Sequence, residues 1–272
     1  AGRYRIGPTS EGPFLAPRPR TCHGAPMKRD NQDQRIALFI DFENLVTRTG
    51  LEADQFDLQP AIDTLLEKGK VVYRRAYADW TRFAGATKRL HDHGVELVDV
   101  PPSTRAGKNG ADMRLVIDAL ELAYLREHID TFVIASGDSD FCPLAYKLRE
   151  NDRIVIGMAV KEATSQLFVK ACDEFIYLRA PGQRRREHQK ATEKKEKAIP
   201  EVAREAATAL LAKATAPVNP SAIKAAIVRR EPDFDERDHG FSSFNRMLEH
   251  MEKEGLLRRE QGAKGQWYVV PA

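Results

Sequence analysis

The sequence is poor in cysteine, with 3 in 272 residues. Cys22, Cys142 and Cys172 form no CxxC pair, which argues against a disulfide framework and a cysteine-based zinc site; Cys142 and Cys172, in apolar surroundings, are expected to be reduced core residues. Long apolar runs are missing as well. Nothing approaches the ~18 consecutive apolar residues of a membrane span, and the amino terminus lacks the compact apolar core of a secretory signal. A soluble, cytoplasmic protein without a membrane partner is expected. Nor is there a large excess of one charge, since 43 Lys and Arg face 40 Asp and Glu for a net +3.

That small net charge is unevenly placed. Residues 1–35 carry +4 and residues 179–197 carry +5, leaving −6 for the rest. An acidic body flanked by basic segments suits a carboxylate site whose polyanionic substrate is recruited by flanking charge. The opposite reading, in which Arg184-Arg185-Arg186 and Lys194-Lys195 are only a solvated linker, stands beside it.

What the sequence does contain is carboxylates at the ends of apolar runs. Ile36-Ala37-Leu38-Phe39-Ile40 is stopped by Asp41-Phe42-Glu43-Asn44, the pattern of a buried parallel strand delivering Asp41 to its carboxyl end. Thr131-Phe132-Val133-Ile134-Ala135 leads into Ser136-Gly137-Asp138-Ser139-Asp140-Phe141, a strand followed by a glycine turn and a helix start. Between them, Lys108-Asn109-Gly110-Ala111-Asp112 precedes a helical pattern through Tyr124, with Asp112 at or near its first turn. Open α/β sheets bind ligands at the carboxyl edge of their strands. Asp118 lies about 240° around the helix from Asp112 and is not expected to share its face.

Carboxylates gathered within a few ångströms repel one another unless a cation joins them. Hard oxygen ligands suit Mg2+ or Mn2+, and such an ion lowers the pKa of a water and neutralises charge growing on a phosphodiester. Taken singly, Asp112, Ser139 and Asp140 read equally well as helix caps. The coincidence of Asp41 and Asp138 at two strand ends favours the functional reading.

Apolar periods alternate between strand and helix from 36 to 178: strands at 36–40, 70–78, 95–99, 131–136, 153–158 and 174–178, helices at about 58–68, 81–93, 112–126, 140–150 and 164–170. This predicts an α/β fold, a parallel sheet with helices on both faces. The polar stretch Pro101–Gly110, with Arg105 and Lys108, is expected to border a substrate groove with Lys108 on phosphate. Tyr77, Trp80 and Arg82, at or beyond a strand end, are candidates for stacking a base, Trp80 equally for packing. The proline-rich residues 1–35 read as a disordered tail, and Met27 resembles a natural start.

These motifs resemble the NYN domain of PIN-like ribonucleases, in the bacterial LabA-like branch, from roughly Ile36 to Leu178. The resemblance implies a PIN-like Rossmannoid fold over 36–179 and an endoribonuclease using one or two metals, with Asp41, Asp112, Asp138 and Asp140 as catalytic metal ligands. Asn44 would be a polar helper, and Ser136 would orient water or bind substrate. RNA is the implied partner; protein partners and self-association stay open. One rival is a catalytically silent RNA-binding adaptor. Another is a haloacid-type phosphatase, against which stands Glu43 at the position where that class has a second Asp.

After a basic linker over 180–197, helices are expected at 200–213, 220–230 and 241–254, then a hairpin of Leu256–Arg259 with Gln266–Val270 around Gly262 and Gly265. Three helices and a wing make a small winged helix-turn-helix domain over 198–271. Gly240-Phe241-Ser242-Ser243-Phe244-Asn245-Arg246-Met247-Leu248 with the wing resembles the OST-HTH or LOTUS domain, which implies RNA targeting. Arg246, Lys264 and Arg258 or Arg259 are candidate phosphate contacts; Phe241, Phe244, Met247, Leu248 and Met251 are expected to be core.

Overall fold

The structure, a computed structural model, describes residues 34–47, 56–101, 110–178, 198–262 and 265–272. The tail before Gln34, the linker 180–197, Cys22, Arg105, Lys108 and Lys264 lie outside the described residues.

Six parallel strands form one sheet in the order β3-β2-β1-β4-β5-β6. In chain order the elements are β1 (Gln34–Asp41), α1 (Phe42–Thr47), α2 (Gln59–Leu66), β2 (Gly69–Ala78), α3 (Ala84–Asp92), β3 (Glu96–Asp99), α4 (Gly110–Leu125) and β4 (Thr131–Ala135). A 3-10 turn Ser139–Phe141 then leads into α5 (Cys142–Glu150), followed by β5 (Ile154–Val160), a 3-10 turn Lys161–Ala163, α6 (Gln166–Ala171) and β6 (Glu174–Leu178). Strand 1 begins two residues before its apolar run, so Gln34 and Arg35, expected in the tail, belong to the sheet. Arg35 is anchored by its backbone N–H to Asp130 Oδ1.

β1 is central because it is apolar on both faces: Ile36 to Ile40 are wholly buried, as a strand covered by helices on each side requires. It pairs with β2 on one side and β4 on the other. The strand order therefore reverses between β1 and β4, the switch point at which such sheets open a crevice. Asp41 ends β1 and Ser136 follows β4 at that crevice.

β2 departs from the apolar pattern through Arg74 and Arg75. Arg75 is answered by Asp118 of α4 at 3.0 Å and by Glu96 at 2.8 Å. Asp118, buried, also takes the Tyr77 hydroxyl at 3.0 Å and Arg114 at 2.9 Å. It is a structural hub, and Tyr77, fully buried, has no face left for a base. Trp80 donates Nε1–H to the Val98 carbonyl and packs on Phe42, so it too is a packing residue. Its neighbour Arg82 pairs with Glu43.

A second, separate core follows from Ile199 to Val269. It is built by α7 (Glu201–Leu211), α8 (Pro220–Val228), a 3-10 turn Glu236–His239, α9 (Phe244–Lys253) and the antiparallel pair β7 (Leu257–Gln261) and β8 (Trp267–Pro271). Asn219 and Ser243 cap α8 and α9 with their side chains, and Gly240 turns the chain with φ 82°. Phe241, Phe244, Met247, Leu248 and Met251 are all buried in this core. α9 starts three residues later than its apolar pattern because Ser243, not Gly240, supplies the cap. The module meets the edge of β6: Phe175 donates its N–H to the Pro232 carbonyl, the Tyr177 hydroxyl to Asp233, and Lys161 to Asp238. Among the described residues no helix is long and apolar enough to cross a membrane.

Candidate active site

α1 starts immediately after Asp41 because Phe42 plugs an aromatic seat of Phe56, Trp80 and Phe83, with ring centroids 5.3–5.4 Å away. That seat fixes the turn and turns Asn44 back over the strand end. Its backbone N–H donates to Asp41 Oδ1 at 3.2 Å, its Nδ2 donates to Asp138 Oδ2 at 3.3 Å, and its Oδ1 accepts from the Gly137 N–H at 3.3 Å. One amide thus joins the ends of β1 and β4.

Ser136 makes the second link. Its hydroxyl donates to Asp41 Oδ2 at 2.9 Å and accepts the Asp138 N–H at 3.2 Å. Ser136 is wholly buried, and its hydroxyl is engaged with the two aspartates. Gly137 is required between them: a Cβ there would collide with the Ala163 carbonyl oxygen, and the Gly137 carbonyl accepts the Ser165 N–H at 2.9 Å.

Asp138 caps the 3-10 turn by accepting the Asp140 N–H at 3.2 Å. Asp140, on that turn, is exposed. α4 begins at Gly110, which puts Asp112 in its first turn, close enough for its charge to act on Asp41.

Asp41 is 3 % exposed, and its carboxyl is pushed up from 3.8 to about 7. Burial is the largest cause and the Asp112 charge the next; the Asn44 N–H and the Ser136 hydroxyl pull it down, and Asp138 adds a smaller push upward. Among the described residues no lysine or arginine is hydrogen-bonded to Asp41. The Cys142 thiol is also pushed up, first by burial and then by Asp138 and Asp140; it is half-buried, unlike the fully buried Cys172.

The four aspartates are thus not equivalent. Asp41 and Asp138 are woven together, Asp112 faces Asp41 through space, and Asp140 stands outside. Among the described residues no three acidic, imidazole or thiol groups are gathered closely enough to hold a metal between them. The donor chemistry nevertheless fits a hard divalent cation, since a buried carboxylate beside two like charges is the arrangement a cation relieves.

Sequence reasoning passed over Asp79, although it directly follows the last residue of β2. It is buried, and its carboxylate is occupied by the Thr81 N–H and hydroxyl. Arg258 is exposed on β7, whereas Arg259 is held by Glu249 and Glu252 and lies over Trp267. Arg246 pairs with Glu249.

The NYN domain family model matches residues 35–179. This chain belongs to the NYN domain family. NYN domains are PIN-like and are generally nucleases that act on RNA, and the matched span runs from the first strand of the sheet past the last. An uncharacterised protein of Methanocaldococcus jannaschii is 28% identical over 144 residues, 53% of this chain and 55% of that protein. The chain spans about half the length of that relative. A crystal structure of a protein of unknown function from Vibrio parahaemolyticus aligns with a TM-score of 0.48 and 24% identity, covering 56% of this chain and 97% of that one.

Proposed function

We propose that the chain is a divalent-metal-dependent endoribonuclease, with a nuclease domain over 36–179 and a winged helix-turn-helix domain of the OST-HTH or LOTUS kind over 198–271 that holds RNA. The observation that carries the reading is Asp41, a carboxylate buried at the switch point of the sheet and pressed by Asp112 and Asp138. Burying such a group without a cationic partner is costly, and a fold retains it where the charge is used.

Asp41, Asp112 and Asp138 would hold Mg2+ or Mn2+, with Asp140 reachable from the rim. When bound, the ion supplies an activated water and charge neutralisation on the phosphodiester. The chain's own residues do the rest. Asn44 and Ser136 hold the Asp41 and Asp138 oxygens at fixed directions, so that little reorganisation accompanies attack. Arg105 and Lys108, which precede α4 in the sequence, Arg258 on β7, and Lys264, which falls between β7 and β8 in the sequence, meet phosphates of the substrate. Three helices, a hairpin and a separate core in the C-terminal module support the winged-helix reading, and its seat on β6 next to Lys161, which follows the end of β5, favours delivery of bound RNA to that edge.

Labelled single-stranded RNA, duplex RNA and DNA, incubated with the protein and Mn2+ beside Asp138→Asn, test the reading. Cleavage of RNA that Asp138→Asn abolishes is expected. Tight RNA binding with no cleavage under Mg2+ or Mn2+ would replace the nuclease by a silent RNA-binding adaptor.

A further inference from the structure

α4 packs onto the sheet through Leu115, Asp118, Ala119 and Ala123. Its opposite face is apolar as well: Met113, Ile117 and Tyr124 are 59%, 56% and 58% exposed, Leu120 lies half-buried between them, and Leu125 is exposed at the helix end. Tyr146 of the adjacent α5 is likewise exposed. Single apolar residues on a surface are ordinary, but a stripe along a 16-residue helix calls for a partner.

The stripe itself indicates which partner. Met113, Ile117, Leu120 and Tyr124 follow one another at intervals of four, three and four residues, the spacing of a helix-pairing seam. Read backwards, the intervals are the same. Two antiparallel copies related by a twofold axis therefore bring Met113 against Tyr124 of the second copy, and Ile117 against Leu120 of the second copy, in the self-complementary manner of an isologous contact.

Charge follows the same symmetry. Arg114 and Glu121, both exposed, flank the stripe on one side and occupy equivalent positions one heptad apart. The antiparallel register sets Arg114 against Glu121 of the second copy twice over. The exposed side chains of the stripe and Tyr146 offer on the order of 500 Å² per copy, or about 1,000 Å² for the pair, the lower limit of a specific interface.

We propose that the chain self-associates as a twofold dimer through antiparallel pairing of the exposed α4 faces. Because Asp112 lies in the first turn of α4, the two candidate active sites stand at opposite ends of a helix pair roughly 24 Å long. The proposal does not depend on catalysis.

Light scattering on the full chain, over roughly 1–100 µM, tests it. A mass near twice 30.6 kDa is expected at the upper end. Ile117→Glu is expected to return the single-chain mass and, at concentrations low enough for the native protein also to be a single chain, to leave the melting temperature unchanged, since its side chain is already largely in water. Glu121→Arg is expected to weaken association by about tenfold or more by facing Arg114 with a like charge. Adding Arg114→Glu restores the dimer, Asp118 keeping Arg75 and Tyr77. A single-chain mass for the native protein at the highest concentration overturns the proposal. So does a dimer untouched by Ile117→Glu, or a double variant that fails to recover the mass. Stripe variants that keep the dimer but lose RNA binding would also overturn it, giving the face to nucleic acid.

Discussion

Removing the charge of Asp41 should make the metal-free protein more stable while destroying its proposed activity. The carboxyl rises from 3.8 to about 7 in the folded chain, so between those values the folded state binds more protons than the unfolded one. Stability then falls as pH rises through that window, and the full cost is present above pH 7. At about 1.36 kcal/mol per pH unit, the rise corresponds to a cost of about 4 kcal/mol. Asp41→Asn lifts it and keeps the geometry: the amide oxygen still accepts the Asn44 N–H, and the amide nitrogen donates to the Ser136 oxygen. A gain of about 2–4 kcal/mol at pH 8, or roughly 5–10 °C in melting temperature, is expected in EDTA. The gain shrinks towards zero near pH 4, where the native carboxyl is protonated in the folded chain. Added Mn2+ should raise the melting temperature of the native protein and leave the variant unmoved. Thermal melts from pH 4 to 8 with and without Mn2+, beside an RNA cleavage assay, check all of this. A variant no more stable at pH 8, or a gain of equal size at pH 4, would refute the claim that burial holds the Asp41 carboxyl well above its ordinary value.

Gly137→Ala drives a methyl into the Ala163 carbonyl; a loss of about 2–3 kcal/mol in chemical denaturation and a fall in cleavage are expected, because Asp138 moves with the turn. Asp118→Ala strands the buried Tyr77 hydroxyl and leaves Arg75 with Glu96 alone, for a loss of about 3 kcal/mol by the same measurement. Asp152, held at φ 57° after α5, is better served by glycine, and Asp152→Gly should gain about 0.5–1 kcal/mol without altering cleavage.

The sheet was legible because its central strands are unbroken apolar runs ended by a charge, and no helix explains five such residues followed by Asp41 or by Ser136-Gly137-Asp138. The relation among the carboxylates was less legible. Asp138 and Asp140 are two residues apart in a tight turn, so one faces back to Asn44 while the other faces water, a divergence that spacing alone does not reveal. Ser136 follows a strand that is buried on both faces through its last residue, so the hydroxyl is buried too. Tyr77 misled for the same reason: in a parallel strand covered on each side, a position near the carboxyl end need not be open. A usable signal lay in Arg74-Arg75. Two half-buried guanidinium groups in a strand of the sheet demand partners, and Asp118, already set apart from the face of Asp112, was available to be one of them.

The two outer strands show how the chain keeps this sheet from pairing further. An unprotected edge offers a row of unpaired backbone groups to any passing strand. β3 has only four residues and ends in exposed carboxylates, Glu96 tied to Arg75 and Asp99 to the Trp80 N–H. β6 carries a charge only at its first residue, Glu174, paired with Lys68, and is apolar beyond it at Phe175, Ile176 and Leu178. It is instead met by the C-terminal module, whose Pro232 carbonyl takes the Phe175 N–H at 2.8 Å while Asp233 takes the Tyr177 hydroxyl at 2.8 Å. Lys161 closes the corner, its ammonium 3.1 Å from Asp238 and 5.3 Å from the centre of the Tyr177 ring. Proline at 232 suits this contact because it supplies an acceptor and no competing N–H. The helical module thus does for β6 what shortness and charge do for β3, and the stability of the sheet's last strand is tied to a segment more than fifty residues further along the chain.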